Sequence, residues 1–280
     1  MIMEVFTRIK IPSKWRKNYL VNAMKENNVR TKYSRGEELN RSAEILITNY
    51  LSERELESLK NLKYIIIPTS GTENLPIEKI KKRKIKIYQD KEIIAKGVAN
   101  YTMDNLKKII HGNMKKFLKG KTVTLLGFGS IGKLLHNSLK KYVRVINMVR
   151  KKPSSKTNTF TLKEINSLLP KTDILINTLP LNDQTKGVLV DKTLMIKEGC
   201  IIINLSRRGI LNEKEIIDKV EEKYFFGTIM DVYLDTISKS DIKSEKIILT
   251  PHIAGIYGSS LKALIDFIEN SLKRIQAETN

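Results

Sequence analysis

The residues best suited to chemistry fall in the second half of this 280-residue chain. Gly127-Phe128-Gly129-Ser130-Ile131-Gly132 follows the β-rich run Lys121 to Leu126 and precedes a helix-like stretch from Lys133. A G-x-G-x-x-G set between a strand and a helix suits a dinucleotide. Gly127 permits the tight turn, Gly129 lets a pyrophosphate approach the backbone, and Gly132 lets the helix pack closely on the strand. The N–H groups of Ser130 and Ile131 would then point at the anion. A glycine-rich turn with no ligand is the plain alternative. Farther along, Arg207 stands just after an apolar run, Asp231 and Asp235 bracket Val-Tyr-Leu, and His252 sits in Thr-Pro-His-Ile-Ala-Gly.

The end of the next strand speaks to the kind of dinucleotide. NAD sites place Asp or Glu there, about 20 residues past the glycines, to hold the ribose 2′-hydroxyl. Here Val149 takes that position and Arg150, Lys151 and Lys152 follow. A carboxylate would repel a 2′-phosphate, whereas a guanidinium pairs with it. The expectation is therefore NADP(H), bound through Arg150 and Lys151, with NAD(H) as the alternative. A basic strand end in a chain that is basic everywhere is the bland reading.

The elements that must position these residues alternate throughout. Apolar runs near residues 3–9, 45–48, 64–68 and 85–88 are separated by helix-period segments, and the alternation restarts at Lys121. Such a pattern predicts parallel α/β sheets. Ser52 and Glu55 read as a capping box. One long helix is expected over 92–118, with His111 inside it, and a final helix over 258–275. The run Lys81-Lys82-Arg83-Lys84 reads as a helix end.

Composition narrows the classes. With 41% hydrophobic and 29% charged residues, the chain reads as an ordinary globular protein. It shows no apolar run of about 18 residues and no signal-peptide pattern, so a cytoplasmic protein without membrane contact is expected. The single cysteine, Cys200, excludes an internal disulfide framework and a Cys-clustered zinc site. It reads as a small buried hydrophobe, and no metal is expected. A formal charge of +21 favours anionic partners, or simply marks a lysine-rich solvated surface. The basic run lacks the interleaved aromatics that stack bases, so nucleic acid is not the expected partner.

The ordered set of Gly127–Gly132, Asn177 to Gly187, Arg207, Asp231 and the His252 turn resembles the D-2-hydroxyacid dehydrogenase family, which includes glyoxylate/hydroxypyruvate reductases and phosphoglycerate dehydrogenases. Pro68-Thr69-Ser70-Gly71-Thr72 resembles its substrate-carboxylate loop, so Ser70 and Gly71 would offer backbone N–H groups there. The resemblance implies that Pro180, Thr185 and Ser206 line the cofactor and that Asp231 lies near the nicotinamide carboxamide. The chemistry agrees: Arg207 has the fork to hold a carboxylate and polarise a carbonyl, and His252 is the suitable general acid. His111 and His136 read as structural. Tyr50 could border the substrate cleft. The family's usual Glu, partner of the histidine, is replaced by Thr236, with Asp235 one residue earlier. The family's Val-Ala-Glu likewise reads Val98-Ala99-Asn100.

The resulting expectation is two doubly wound parallel-sheet domains. A Rossmann cofactor domain over 93–256 is inserted into a flavodoxin-like substrate domain made of 1–92 and 257–280, with a cleft that closes on ligand. The expected function is hydride transfer between NADP(H) and a small 2-oxo acid such as glyoxylate or hydroxypyruvate. The resemblance implies a homodimer. Alternatives are a phosphoglycerate dehydrogenase, a weakly catalytic NAD(P)-sensing protein of the same fold, and a basic nucleic-acid binder.

Overall fold

The structure, a computed structural model, describes residues 4–8, 30–32, 41–69, 71–72, 74–152, 158–232 and 242–279. The chain forms two compact units, one of Met1–Ile94 with Gly258–Asn280, the other of Ala95–Tyr257.

In the first unit, strands β1 (Glu4–Arg8), β2 (Arg30–Lys32) and β3 (Ile45–Thr48) precede helix α1 (Glu53–Ser58). Strand β4 (Tyr64–Ile67), helix α2 (Ile77–Lys82) and strand β5 (Lys86–Gln89) follow. All pairings are parallel, in the order β2-β1-β3-β4-β5. This is the flavodoxin-like order. Helix α1 starts where the sequence says it should: the Ser52 hydroxyl accepts the Glu55 N–H at 3.2 Å, and the Glu55 carboxylate accepts the Ser52 N–H at 2.8 Å. The basic run does end α2, and Arg83 then donates to the carbonyls of Leu56 and Leu59. A cation thus sits at the negative end of α1. Leu46, Leu56, Leu59, Ile65 and Ile80 form the core.

Helix α3 (Lys91–Ile110) carries the boundary between the units. The single helix expected over 92–118 is in fact two. His111 adopts a left-handed backbone (φ 50°), and Asn113 caps a new helix, α4 (Met114–Leu118), by accepting the Lys116 N–H. His111 therefore ends a helix rather than lying inside one. A His-Gly-Asn sequence supplies a turn and a cap that hydrophobic periodicity alone does not register.

Strand β6 (Thr122–Leu126), helix α5 (Ser130–Leu139), strands β7 (Val145–Val149) and β8 (Thr159–Phe160) and helix α6 (Ile165–Leu168) come next. They are followed by β9 (Ile174–Asn177), β10 (Ile201–Asn204), α7 (Glu213–Glu221), β11 (Gly227–Met230) and β12 (Ile247–Leu249). Helix α8 (Ser260–Thr279) closes the chain within the first unit. The second sheet is parallel throughout, in the order β12-β11-β10-β9-β6-β7-β8. This is the Rossmann order with one strand added. Strands β6, β9, β10 and β11 are buried along their whole length, as parallel strands covered on both faces must be. The order reverses between β6 and β9, so the crevice for a ligand lies at their carboxyl ends. Among the described residues, no helix is long and apolar enough to cross a membrane.

Candidate active site

The glycine turn leaves β6 and enters α5 at that crevice. Gly127 holds φ 95°, and a side chain there would meet Thr178 Oγ1 at 2.7 Å. A Cβ on Gly132 would collide with the Gly127 carbonyl oxygen. The first and third glycines are thus demanded by the protein's own packing. Gly129 differs: a Cβ there meets nothing within 4 Å. It is exposed, caps α5 without a side-chain hydrogen bond, and no acidic residue follows in the first turn. An open approach to uncapped N–H groups fits the pyrophosphate of a dinucleotide. At the end of β7, Arg150, Lys151 and Lys152 are exposed, and the Arg150 guanidinium lies 5.9 Å over the Phe128 ring. His136 packs edge-on against the same ring at 5.7 Å, which gives it a structural place.

At the ends of β10, β11 and β12 stand Arg207, Asp231 and His252. The imidazole is half exposed and its backbone is left-handed, at φ 57°. Its Nδ1 lies 3.0 Å from the Asp231 carbonyl oxygen and its Nε2 lies 3.2 Å from Arg207 Nη1. A carbonyl only accepts and a guanidinium only donates. The imidazole is therefore held with its proton on Nδ1 and its lone pair on Nε2. The Asp231 carboxylate, 2% exposed, holds the loop that presents the imidazole. It accepts from Thr250 Oγ1 at 2.6 Å and from the N–H groups of Ile253 and Ala254 at 2.8 Å each. Since the Thr250 hydroxyl spends its proton on Asp231, Tyr101 donates to Thr250, at 2.6 Å. Burial pushes the Tyr101 phenol up to about 12. Helix α3 closes on the same loop, for a Cβ on Gly97 would lie 2.5 Å from the Gly255 oxygen.

Residues 95–254 match the family described as D-isomer specific 2-hydroxyacid dehydrogenase, NAD binding domain. The chain belongs to this family. It is a family of NAD(P)-dependent oxidoreductases acting on a CH–OH group. The erythronate-4-phosphate dehydrogenase of Wigglesworthia glossinidia brevipalpis is 28% identical over 201 residues, which is 70% of this chain but only 53% of that enzyme. The hydroxypyruvate reductase of Thermotoga maritima is 24% identical over 248 residues, 79% of this chain and 80% of the relative. In fold, the chain is similar to the NADPH-dependent glyoxylate/hydroxypyruvate reductase of Sinorhizobium meliloti, solved with NADP and malonate. The TM-score is 0.78 at 16% identity, over 98% of this chain and 93% of that one.

The second unit brings Arg207 and His252 together. The hydroxyls expected to line the cofactor are engaged within the protein. Thr185, 4% exposed, donates to the Pro180 carbonyl at 2.5 Å and accepts the Asn182 N–H at 2.9 Å. Ser206 donates to the Leu179 carbonyl. Both shape loops at the crevice, while Pro180 itself is exposed. Gly71 lies past the end of β4 in the first unit, its carbonyl accepting from Thr69 Oγ1 at 3.1 Å, and Tyr50 is 47% exposed past β3. Ser70, Asp235 and Thr236 lie outside the described residues. Cys200 is fully buried, and burial pushes its thiol up. Sequence reasoning missed Tyr101, Thr250, Asn204 and Glu213. The one signal for Asn204 was a polar residue closing an Ile-Ile-Ile strand, as Asn177 closes Ile-Leu-Ile.

Proposed function

We propose that this protein reduces a small 2-oxo acid, such as glyoxylate or hydroxypyruvate, with NADPH. The observation that carries the reading is the Arg207–His252 pair, 3.2 Å apart, at the same sheet edge as the glycine turn. When bound, the nicotinamide supplies the hydride. Gly129 and the N–H groups of Ser130 and Ile131 would hold its pyrophosphate.

Arg207 binds the substrate carboxylate and draws on the carbonyl oxygen, because its planar fork matches two acceptors at once. His252 supplies the proton that the oxygen takes up as C=O becomes CH–OH. That proton must leave from Nε2, the atom that now accepts from Arg207. Arg207 must therefore turn its Nη1 to the substrate, and Nε2 must take up a proton from water, before the ring, now an imidazolium, can act as the acid. The Asp231 carbonyl keeps the ring oriented by holding the Nδ1 proton throughout, as an outer hydrogen bond does for a working histidine.

The NADP(H) preference rests on Val149 in the acidic position and on Arg150, Lys151 and Lys152 after it. Stacking on Phe128 holds the Arg150 guanidinium near the turn. A cofactor-sensing protein is a second reading, favoured by Thr236 at the family's usual Glu position. The deciding experiment follows reduced-cofactor absorbance with glyoxylate, hydroxypyruvate and other 2-oxo acids. Turnover with a higher kcat/KM for NADPH than for NADH is expected. Cofactor binding without turnover on any of them would favour the sensing protein. Equal or better use of NADH would overturn the NADP(H) preference. Arg207→Lys should bind cofactor normally and lose about 100-fold in kcat/KM.

A further inference from the structure

Glu213 is a buried carboxyl that the proposed chemistry does not use. It opens α7, is 7% exposed, and burial pushes its pKa up. A carboxyl kept out of water at a helix start needs a reason, since burial of such a group is costly unless its oxygens are well partnered. Beside its own backbone N–H, its partners all belong to one short segment. Oε1 accepts from Asn204 Nδ2 at 3.1 Å and from the Gly209 N–H at 3.3 Å, and Oε2 lies 3.5 Å from the same N–H. Asn204 ends β10, Gly209 turns back at φ 79°, and Arg207 lies between them.

The polarity of this network is determined by backbone donors. The Leu179 N–H donates to Asn177 Oδ1 at 3.1 Å, and the Ser206 N–H donates to Asn204 Oδ1 at 3.2 Å. Both amide oxygens are thereby assigned, so Asn177 Nδ2 donates to Asn204 Oδ1 at 3.0 Å. Asn204 Nδ2 is left as a donor, directed at Glu213 and, at 3.3 Å, at the Arg207 carbonyl. The chain of donors runs from Asn177 through Asn204 and ends on an acceptor. A side chain without an acceptor at position 213 would leave one N–H of the buried Asn204 amide and the half-buried Gly209 N–H without their acceptor, loosening the segment where it turns back at Gly209.

We propose that Glu213 is a positioning residue for Arg207. By receiving Asn204 and Gly209 together, it sets the backbone from which the guanidinium projects toward the substrate carboxylate and His252 Nε2. The inference rests on the role given to Arg207 above.

The test is a double-mutant cycle. Glu213→Ala and Glu213→Gln are each made in the native and the Arg207→Lys backgrounds. Three quantities are measured, kcat/KM for glyoxylate, the Kd for NADP+ by fluorescence titration, and Tm, and the coupling between positions 213 and 207 follows from the first. Glu213→Ala should lower kcat/KM about tenfold or more in the native background and less than about twofold beside Arg207→Lys. The Kd for NADP+ should stay within about twofold, because the glycine turn is untouched. Glu213→Gln should recover most of the loss, since its amide oxygen still accepts. Equal losses in both backgrounds, or no loss in the native one, would overturn the inference while leaving Arg207 in place. Intact turnover in Arg207→Lys alone would instead overturn the reading beneath it. If Glu213→Ala is unfolded at the assay temperature, Glu213→Asp, which withdraws the carboxylate by one methylene, goes through the same cycle with the same expectations.

Discussion

A histidine with a left-handed backbone needs a firm anchor, and His252 has one in Asp231. Three donors converge on that carboxylate, so its removal leaves a hydroxyl and two N–H groups without their acceptor. Asp231→Ala should destabilise the fold by about 2–4 kcal/mol, and Asp231→Asn by less, because an amide oxygen keeps part of the set. Denaturant unfolding checks this, and unchanged stability in Asp231→Ala would contradict it. Tyr101 gives a pH test. Its phenol ionises at about 12 in the folded chain, against an ordinary value of 10. The stability it contributes is fully present below pH 10 and is lost as pH rises from there through about 12, because the unfolded chain loses its proton first. An ultraviolet pH titration of the native protein against Tyr101→Phe should show one late-ionising phenol missing in the variant.

Legibility at this scale followed sequence distance. The glycines, Arg207 and His252 stand in short local patterns and could be named directly. The partnership of Asn177 with Asn204 depends on the pairing of β9 with β10, and that of Asn204 with Glu213 on a loop that doubles back. Neither follows from spacing. Asp231 was named for its place near the nicotinamide, yet its carboxylate holds the histidine loop.

At the scale of elements, the turn between β6 and α5 separates what packing requires from what a ligand requires. Gly132→Ala must push against the Gly127 carbonyl, and should lower Tm by several degrees, the effect of about 1–3 kcal/mol of overpacking. Gly129→Ala meets no protein atom, and should keep Tm near the native value while weakening NADP+ binding at least about tenfold, which is about 1.4 kcal/mol. Thermal melts with and without NADP+ distinguish the two. A large Tm loss in Gly129→Ala, or native NADP+ affinity in it, would contradict this account of the turn. The central strands were readable because doubly covered parallel strands are unbroken apolar runs, whereas the short edge strands β2 (Arg-Thr-Lys) and β8 (Thr-Phe) carry no such run and were not expected. The break at His111 was not, because α3 and α4 share one apolar rhythm across it and only the turn chemistry interrupts it.

At the scale of the whole molecule, parallel α/β character was apparent from alternation, but strand order was an inference from resemblance until the pairings were seen. Both orders, flavodoxin-like and Rossmann, depend on crossover connections that no local pattern encodes. The +21 charge belongs to this scale too. It should draw the anionic cofactor to the basic end of β7, so the Kd for NADP+ should rise severalfold as salt is raised from about 0.05 M to about 0.5 M, with a smaller rise for NAD+. Equal salt dependence for the two cofactors would detach the charge from the 2′-phosphate.

Proton transfer by His252 is tested most directly by turnover of glyoxylate or hydroxypyruvate by the native protein and by His252→Gln, both saturated with NADPH and both checked for NADP+ binding by fluorescence. Steady NADPH oxidation is expected from the native protein and a fall of about 100-fold or more in His252→Gln, the size that follows loss of a general acid, with the NADP+ Kd little changed. Native-level turnover in His252→Gln would contradict that role.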